Sequence, residues 1–341
     1  MKRKPDFRQL LKVLERGKPD RPTLFEYYMN QRVYDQLTAD IQYDPQDDLA
    51  PRKKLIDAFA RAGYDYVTLT LPGFSFALDE RHSERTVSLN TGQMIVDRES
   101  FSRYPWPDPL QARFDLLDKL ADYLPDGMKF ITPQPVSILG GAINLLGYDN
   151  LCMLLYDDER LVSDVFGHVA ERITAFHRQT MKHPAVGACL INDDWGFNQQ
   201  TRISPDHLRR YVFPWYRQIV SEIHAAGKPA ILHSCGNLAA VMPDIIDDLQ
   251  FDGKHSFQDQ IMPVEQVYEL YSSRIAILGG IDVDFMCRQT PEAIYRRSRN
   301  MLQLSDRKGS YALGTGNSVP EHLPTEHYFA MLRAVDPDSS D

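Results

Sequence analysis

His233-Ser-Cys235 is the segment of this chain best equipped to do chemistry. On an extended segment, side chains two residues apart point to the same side, so an imidazole and a thiol converge on one point. A nitrogen and a sulfur donor placed together suit Zn²⁺. Outside a metal site the same residue types form a buried imidazole and a small inert thiol. A catalytic zinc takes three protein ligands and keeps one position open. The third is sought in Asn192-Asp-Asp-Trp-Gly-Phe197, where Asp193 or Asp194 can supply it; Asp193 is taken as the ligand, with both carboxylates available for acid-base work. Their alternative role is to accept hydrogen bonds from backbone amides or an arginine. His255 adds a third titratable group, either backing His233 or carrying a proton.

Such residues must be positioned by a frame. Eight short apolar or β-branched runs, at 23–27, 65–71, 129–133, 187–192, 229–233, 251–255, 274–278 and 310–313, alternate with helical periodicity at 51–62, 159–182, 205–226, 238–248, 264–271, 291–304 and 324–335. That alternation predicts an α/β fold, a (β/α)8 TIM barrel, with chemistry at the C-terminal strand ends. Ser204-Pro205, Thr290-Pro291 and Pro324-Thr325 mark helix starts, and Ala226-Gly227-Lys228 marks a stop. Residues 85–98 alternate around Asn90-Thr91-Gly92 and predict a β-hairpin inserted between the second and third strands. One domain, 1–335, followed by an acidic tail, 336–341, is the simplest organisation.

In that frame all the candidates lie just past strand ends. Gly280, Asp282, Thr315 and Asn317 follow the seventh and eighth strands, where barrels build anion sites from backbone amides, and are expected to contact substrate. Tyr27, Tyr28, Phe74, Phe76, Trp195 and Phe197 are expected to line an apolar cavity for a small molecule. Gly314-Thr-Gly316 is no dinucleotide fingerprint, because Val319 takes the third glycine position.

Composition narrows the function classes. With 341 residues, 43% of them hydrophobic and 25% charged, the chain can bury a large core, which excludes a disordered protein. A formal net charge of −9 disfavours nucleic acid and anionic membrane as partners. The four cysteines, Cys152, Cys189, Cys235 and Cys287, do not read as a disulfide framework. No run approaches the roughly 18 apolar residues of a membrane span, and the basic start is followed by apolar residues interrupted by charges. A cytoplasmic protein is expected.

The chain resembles the uroporphyrinogen decarboxylase superfamily, which also contains corrinoid-linked and methylcobamide:thiol methyltransferases. The likeness runs nearly end to end. It is carried by Gly17-Lys-Pro-Asp-Arg-Pro22, Asn192-Asp-Asp-Trp-Gly-Phe197 with Ser204-Pro205, His224-Ala-Ala-Gly227, His233-Ser-Cys-Gly-Asn237, Gly279-Gly-Ile-Asp282 with Thr290-Pro-Glu292, and Gly314-Thr-Gly-Asn-Ser318 with Pro324. The resemblance implies the same barrel. True uroporphyrinogen decarboxylases resemble one another in an arginine-rich loop after the first strand, whereas this loop, Glu26-Tyr-Tyr-Met-Asn-Gln-Arg32, holds one arginine. The methyltransferase branch is similar in holding zinc with His-x-Cys and a later cysteine; the corresponding residue here is Thr315, and an aspartate in its place keeps two anionic ligands.

What the resemblance implies is therefore zinc on His233, Cys235 and an acidic residue, activating a thiol or a methyl-bearing heteroatom. The chain has no Asp-x-His-x-x-Gly segment, so a corrinoid would be carried by a separate protein. Two alternatives stand beside this: a metal-independent decarboxylase of a smaller acid using Asp193 or Asp194, and a non-catalytic barrel that binds a small ligand or a corrinoid protein.

Overall fold

Helical crossovers are what parallel pairing requires, and here the strands pair in parallel in chain order. A computed structural model describes residues 3–77 and 93–336. Seven strands, β1 (Tyr66–Thr68), β2 (Lys129–Pro133), β3 (Val186–Asn192), β4 (Ala230–His233), β5 (Gly253–His255), β6 (Ala276–Leu278) and β7 (Tyr311–Ala312), form one curled sheet in which every neighbouring pair is parallel. Asn192, His233 and His255 fall in register at the C-terminal ends of β3, β4 and β5. Register thus brings two of the chemical candidates side by side.

The run at 23–27, expected as a strand, makes a single parallel bridge between Leu24 and Leu313. Phe25 N donates to Leu313 O, and Leu313 N donates to Thr23 O. Its other flank is held by β1 side chains. The Tyr66 hydroxyl bonds both the amide and the carbonyl of Glu26, and Thr68 Oγ1 donates to Tyr27 O.

Most helices lie where periodicity placed them, including Ala50–Ala62, Glu159–Thr180, Val264–Tyr271 and Pro291–Ser305. The helix expected over 205–226 is two, Pro205–Tyr211 and Phe213–Ala225, broken at Val212. Pro214 has no N–H for the Arg210 carbonyl, which ends the first helix and opens the second. Residues 238–248 form short turns instead of one α-helix. Ile138–Leu146 and Tyr148–Asp157 are helices that the sequence reading passed over.

Residues 85–92 of the expected hairpin lie outside the described residues; 93–97 carry no strand, and a helix, Arg98–Arg103, begins where the hairpin was to end. Residues 337–341 of the acidic tail lie outside them as well. Among the described residues no single helix is long and apolar enough to cross a membrane.

Candidate metal centre

His233 and His255 are both buried, and their Nδ1 atoms are 2.8 Å apart. His255 Nε2 lies 3.1 Å from the Thr315 carbonyl oxygen. Burial holds both rings neutral at physiological pH, pushing His233 down to about 3 and His255 well below the ordinary histidine value. A carbonyl only accepts, so His255 must carry its proton on Nε2. Its bare Nδ1 then accepts from His233 Nδ1–H, which leaves the lone pair of His233 Nε2 exposed. A metal-ligating histidine is prepared in this way, with its other nitrogen tied to a fixed partner.

Cys235 Sγ stands 3.8 Å from that Nε2. Asp194 completes the group: its Oδ1 accepts from the Cys235 amide at 2.8 Å, and the donor atoms of Asp194, His233 and Cys235 all lie within 4.8 Å of one another. Asn317 Nδ2 donates to Cys235 Sγ at 3.3 Å, a bond that strengthens when the sulfur is a thiolate. Burial and the Asp194 carboxylate push the Cys235 thiol up to about 11. The two loops can meet because Gly196 faces Gly236 backbone to backbone; a Cβ on Gly236, whose φ is +90°, would stand 2.2 Å from the Gly196 carbonyl carbon. Cys235, Gly236 and Phe197 line an open cleft of about 610 Å³.

Asp193, taken from sequence as the ligand, is placed elsewhere. Its fully buried carboxylate accepts from the amides of Leu139 (2.9 Å) and Gly140 (3.2 Å) and from the Tyr216 hydroxyl (2.8 Å). It thus caps the helix Ile138–Leu146, whose Ser137 makes no capping bond of its own. The structure moves the acidic position of the cluster from Asp193 to Asp194. Phe74 and Phe76 pack with Phe176 and Trp106, and Trp195 is buried against Phe213 and Tyr216, so these three are core residues instead of cavity lining. Tyr27 stands over His233 with ring centroids 4.9 Å apart, while Tyr28 and Phe197 are exposed. Asp282 caps the helix Val283–Arg288 and lines, with Tyr28 and Asn317, a separate cleft of about 360 Å³. Gly280 donates to the Thr315 carbonyl, and a Cβ there would strike Val264.

Thr315, offered by sequence as a substrate contact, binds a group that sequence reasoning missed. Its hydroxyl donates to Glu26 Oε1 at 2.8 Å and its amide to Oε2 at 3.2 Å. Glu26 is fully buried, and burial pushes its carboxyl up to about 8. A charged residue inside the apolar strand run 23–27 was the available signal. In the unfolded chain this group releases its proton near its ordinary value of 4.5, and in the folded chain near 8. Between those values the folded state holds the extra proton, so its stability falls as pH rises, by up to about 1.4 kcal/mol per unit. Glu26→Gln is therefore expected to leave the melting temperature nearly unchanged at about pH 5 and to raise it at about pH 8. Equal shifts at both pH values would refute this.

The donor set of this cluster fits a divalent cation of zinc's type. It combines one neutral imidazole nitrogen with a bare lone pair, one thiol and one carboxylate, beside a solvent cleft that leaves room for a fourth partner. The protein is thus an α/β chain of TIM-like fold with metal-competent side chains at its strand ends. The uroporphyrinogen decarboxylase (URO-D) family profile matches residues 97–337. The chain belongs to the uroporphyrinogen decarboxylase family. A curated relative, the uroporphyrinogen decarboxylase of Koribacter versatilis (strain Ellin345), is 21% identical over 203 residues, or 59% of this chain. The match spans 54% of that protein, about half its length. A methyltransferase from Methanosarcina mazei superposes with a TM-score of 0.73 at 15% identity, covering 97% of this chain and 98% of that one. At such identity the likeness is one of fold.

Proposed function

We propose that the protein is a zinc-dependent methyltransferase of the URO-D superfamily, moving a methyl group between a small substrate or thiol and a corrinoid held by a separate protein. The observation that carries this reading is the chain of hydrogen bonds from the Thr315 carbonyl through His255 to His233, which leaves Nε2 bare beside Cys235 and Asp194. His233, Cys235 and Asp194 would hold the ion, two anionic donors and one neutral. Zinc bound there supplies Lewis acidity that keeps a thiol ionised near neutral pH or weakens the bond to a departing methyl group. The remaining work belongs to the chain. His255 fixes the His233 ring, Asn317 donates to the Cys235 sulfur, and Tyr27 shields the His233 imidazole, while the cleft beside Cys235 admits the substrate. The 23–27 segment, tied to both β7 and β1, completes the cylinder in this reading. A reducing, cytoplasmic setting belongs to this reading, on the cysteine usage of the sequence, which gives no disulfide framework.

A second reading, metal-independent decarboxylation of a smaller carboxylate with Asp194 stabilising a protonated intermediate, is favoured by the name of the family and of the curated relative. Metal content separates the two. Protein supplied with Zn²⁺ is expected to retain one equivalent and, with methylcobalamin and a simple thiol as probes, to form the methyl thioether and cob(I)alamin with release of the thiol proton. Zinc near zero that added Zn²⁺ does not restore would overturn the methyltransferase reading.

The pH dependence of zinc binding follows from the thiol. With Cys235 pushed up to about 11 and His233 down to about 3, only the sulfur carries a proton that the ion must displace at neutral pH. Affinity is expected to rise about tenfold per pH unit between about pH 6 and 8. Competition with a chromophoric chelator across that range reads the slope, and a hundredfold rise per unit would show that His233 is protonated too.

A further inference from the structure

Lys254 is a charged residue at the centre of a buried strand. His255 faces His233, so the twofold period of β5 turns Lys254 to the opposite face of the sheet. There its Nζ donates to the carbonyls of Ser256 (2.7 Å) and Ser234 (3.3 Å) and lies 4.3 Å from the centroid of the Phe257 ring. The residue is 3% exposed. Among the described residues no carboxylate stands within 4.0 Å of it, although an ammonium taken out of water is costly unless an anion meets it. Two carbonyl dipoles and a ring face stabilise the charge at contact, and the Asp194 carboxylate acts on it only from beyond ion-pair distance.

A cavity of about 120 Å³ opens against this lysine, with apolar walls from Leu238, Met242, Ile261, Met262 and Val267. Its rim carries Asn237 and Gln258, both partly exposed, so it communicates with solvent. An aliphatic cavity of about 150 Å³ accepts benzene, which sets the size of an occupant here at about one ring or a short branched chain. Lys254 is the one cation among its lining residues, which matches the single charge of a carboxylate, and the walls are otherwise largely apolar.

We propose that this cavity is a second ligand site, which takes a small apolar monocarboxylate with its carboxylate on Lys254 and its hydrocarbon against Met242 and Ile261. The site lies on the far side of β5 from the imidazole pair and does not depend on zinc. Its lysine nevertheless holds the Ser234 carbonyl, midway between His233 and Cys235, so an occupant would share a hydrogen-bonding group with the metal loop.

Benzoate, with benzamide as its neutral isostere, tests the proposal by calorimetric titration of the full chain, with and without Zn²⁺. Benzoate is expected to saturate at one equivalent in both conditions and to bind at least about tenfold more tightly than benzamide, the ratio a charge-assisted hydrogen bond supplies. Lys254→Met is expected to make the two ligands equal. Ile261→Trp, which fills the cavity from its partly exposed rim and leaves the lysine in place, is expected to abolish binding of both. If Lys254→Met does not fold, the benzoate-to-benzamide ratio and Ile261→Trp decide alone. Absence of saturable benzoate binding, equal affinities for the two ligands in the unmodified protein, or binding that survives Ile261→Trp would overturn the site.

Discussion

Cys235→Ser is expected to weaken zinc binding by more than about 100-fold, beyond what loss of an outer hydrogen-bond partner costs a metal site. The sulfur is the one soft donor in the cluster, and it faces His233 Nε2, Ser256 and Asn317. A serine hydroxyl fits the same space and can accept from Asn317, so the fold should survive and the melting temperature move little. It does not ionise near neutral pH, which leaves the ion one anionic ligand in place of two. His255→Ala should fall in the range of about 10–100-fold, because it frees the His233 ring without removing a ligand. Chelator competition and methyl-transfer rates measured on both variants check the ranking. Equal zinc affinity in Cys235→Ser and the unmodified protein would remove sulfur from the site.

Neighbouring aspartates should give opposite phenotypes. Asp193→Ala leaves the amides of Leu139 and Gly140 and the Tyr216 hydroxyl without their acceptor in a buried place. A destabilisation of about 3–5 kcal/mol is expected, from several orphaned donors and an uncapped helix. Asp194 is 35% exposed at its side chain and near Arg202, so Asp194→Ala should shift stability by no more than about 1 kcal/mol while lowering zinc affinity about 100-fold or more. Denaturant melts and zinc titrations on the pair separate the roles. A stable Asp193→Ala that has lost zinc, or a zinc-replete Asp194→Ala, would reverse the assignment.

That pair also shows what residue types and spacing could reveal. The His-x-Cys convergence was legible because strand geometry alone dictates it, and seven of the eight strand runs follow from apolar and β-branched composition. Choosing between Asp193 and Asp194 required knowing what lies behind β3, and the answer is the helix Ile138–Leu146. Its sequence is apolar almost throughout, so no charged face marks it as a surface helix, and Gly140 and Gly141 are poor helix formers. The helix was missed, so its need for an acceptor was missed, and Asp193 looked free to ligate. Phe74 and Phe76 were misplaced for a related reason: both follow β1, but Phe74 turns inward onto Phe176, a partner about a hundred residues along the chain that no local pattern names, and Phe76 onto Phe74 and Trp106. Lys254 and Glu26 were visible as charges inside apolar runs, the kind of local inconsistency that marks function or strain.

Thr315 is shared between two circuits, its side chain serving a buried acid and its carbonyl serving an imidazole. An exchange of this threonine for cysteine, the residue implied for the methyltransferase branch, would put a second sulfur near the strand ends and withdraw the hydroxyl on which Glu26 depends. Evolution between the two ligand sets would then be epistatic: positions 26 and 315 should change together, with the acid lost first or in the same step, and a lineage carrying both cysteine and glutamate would be a poor intermediate.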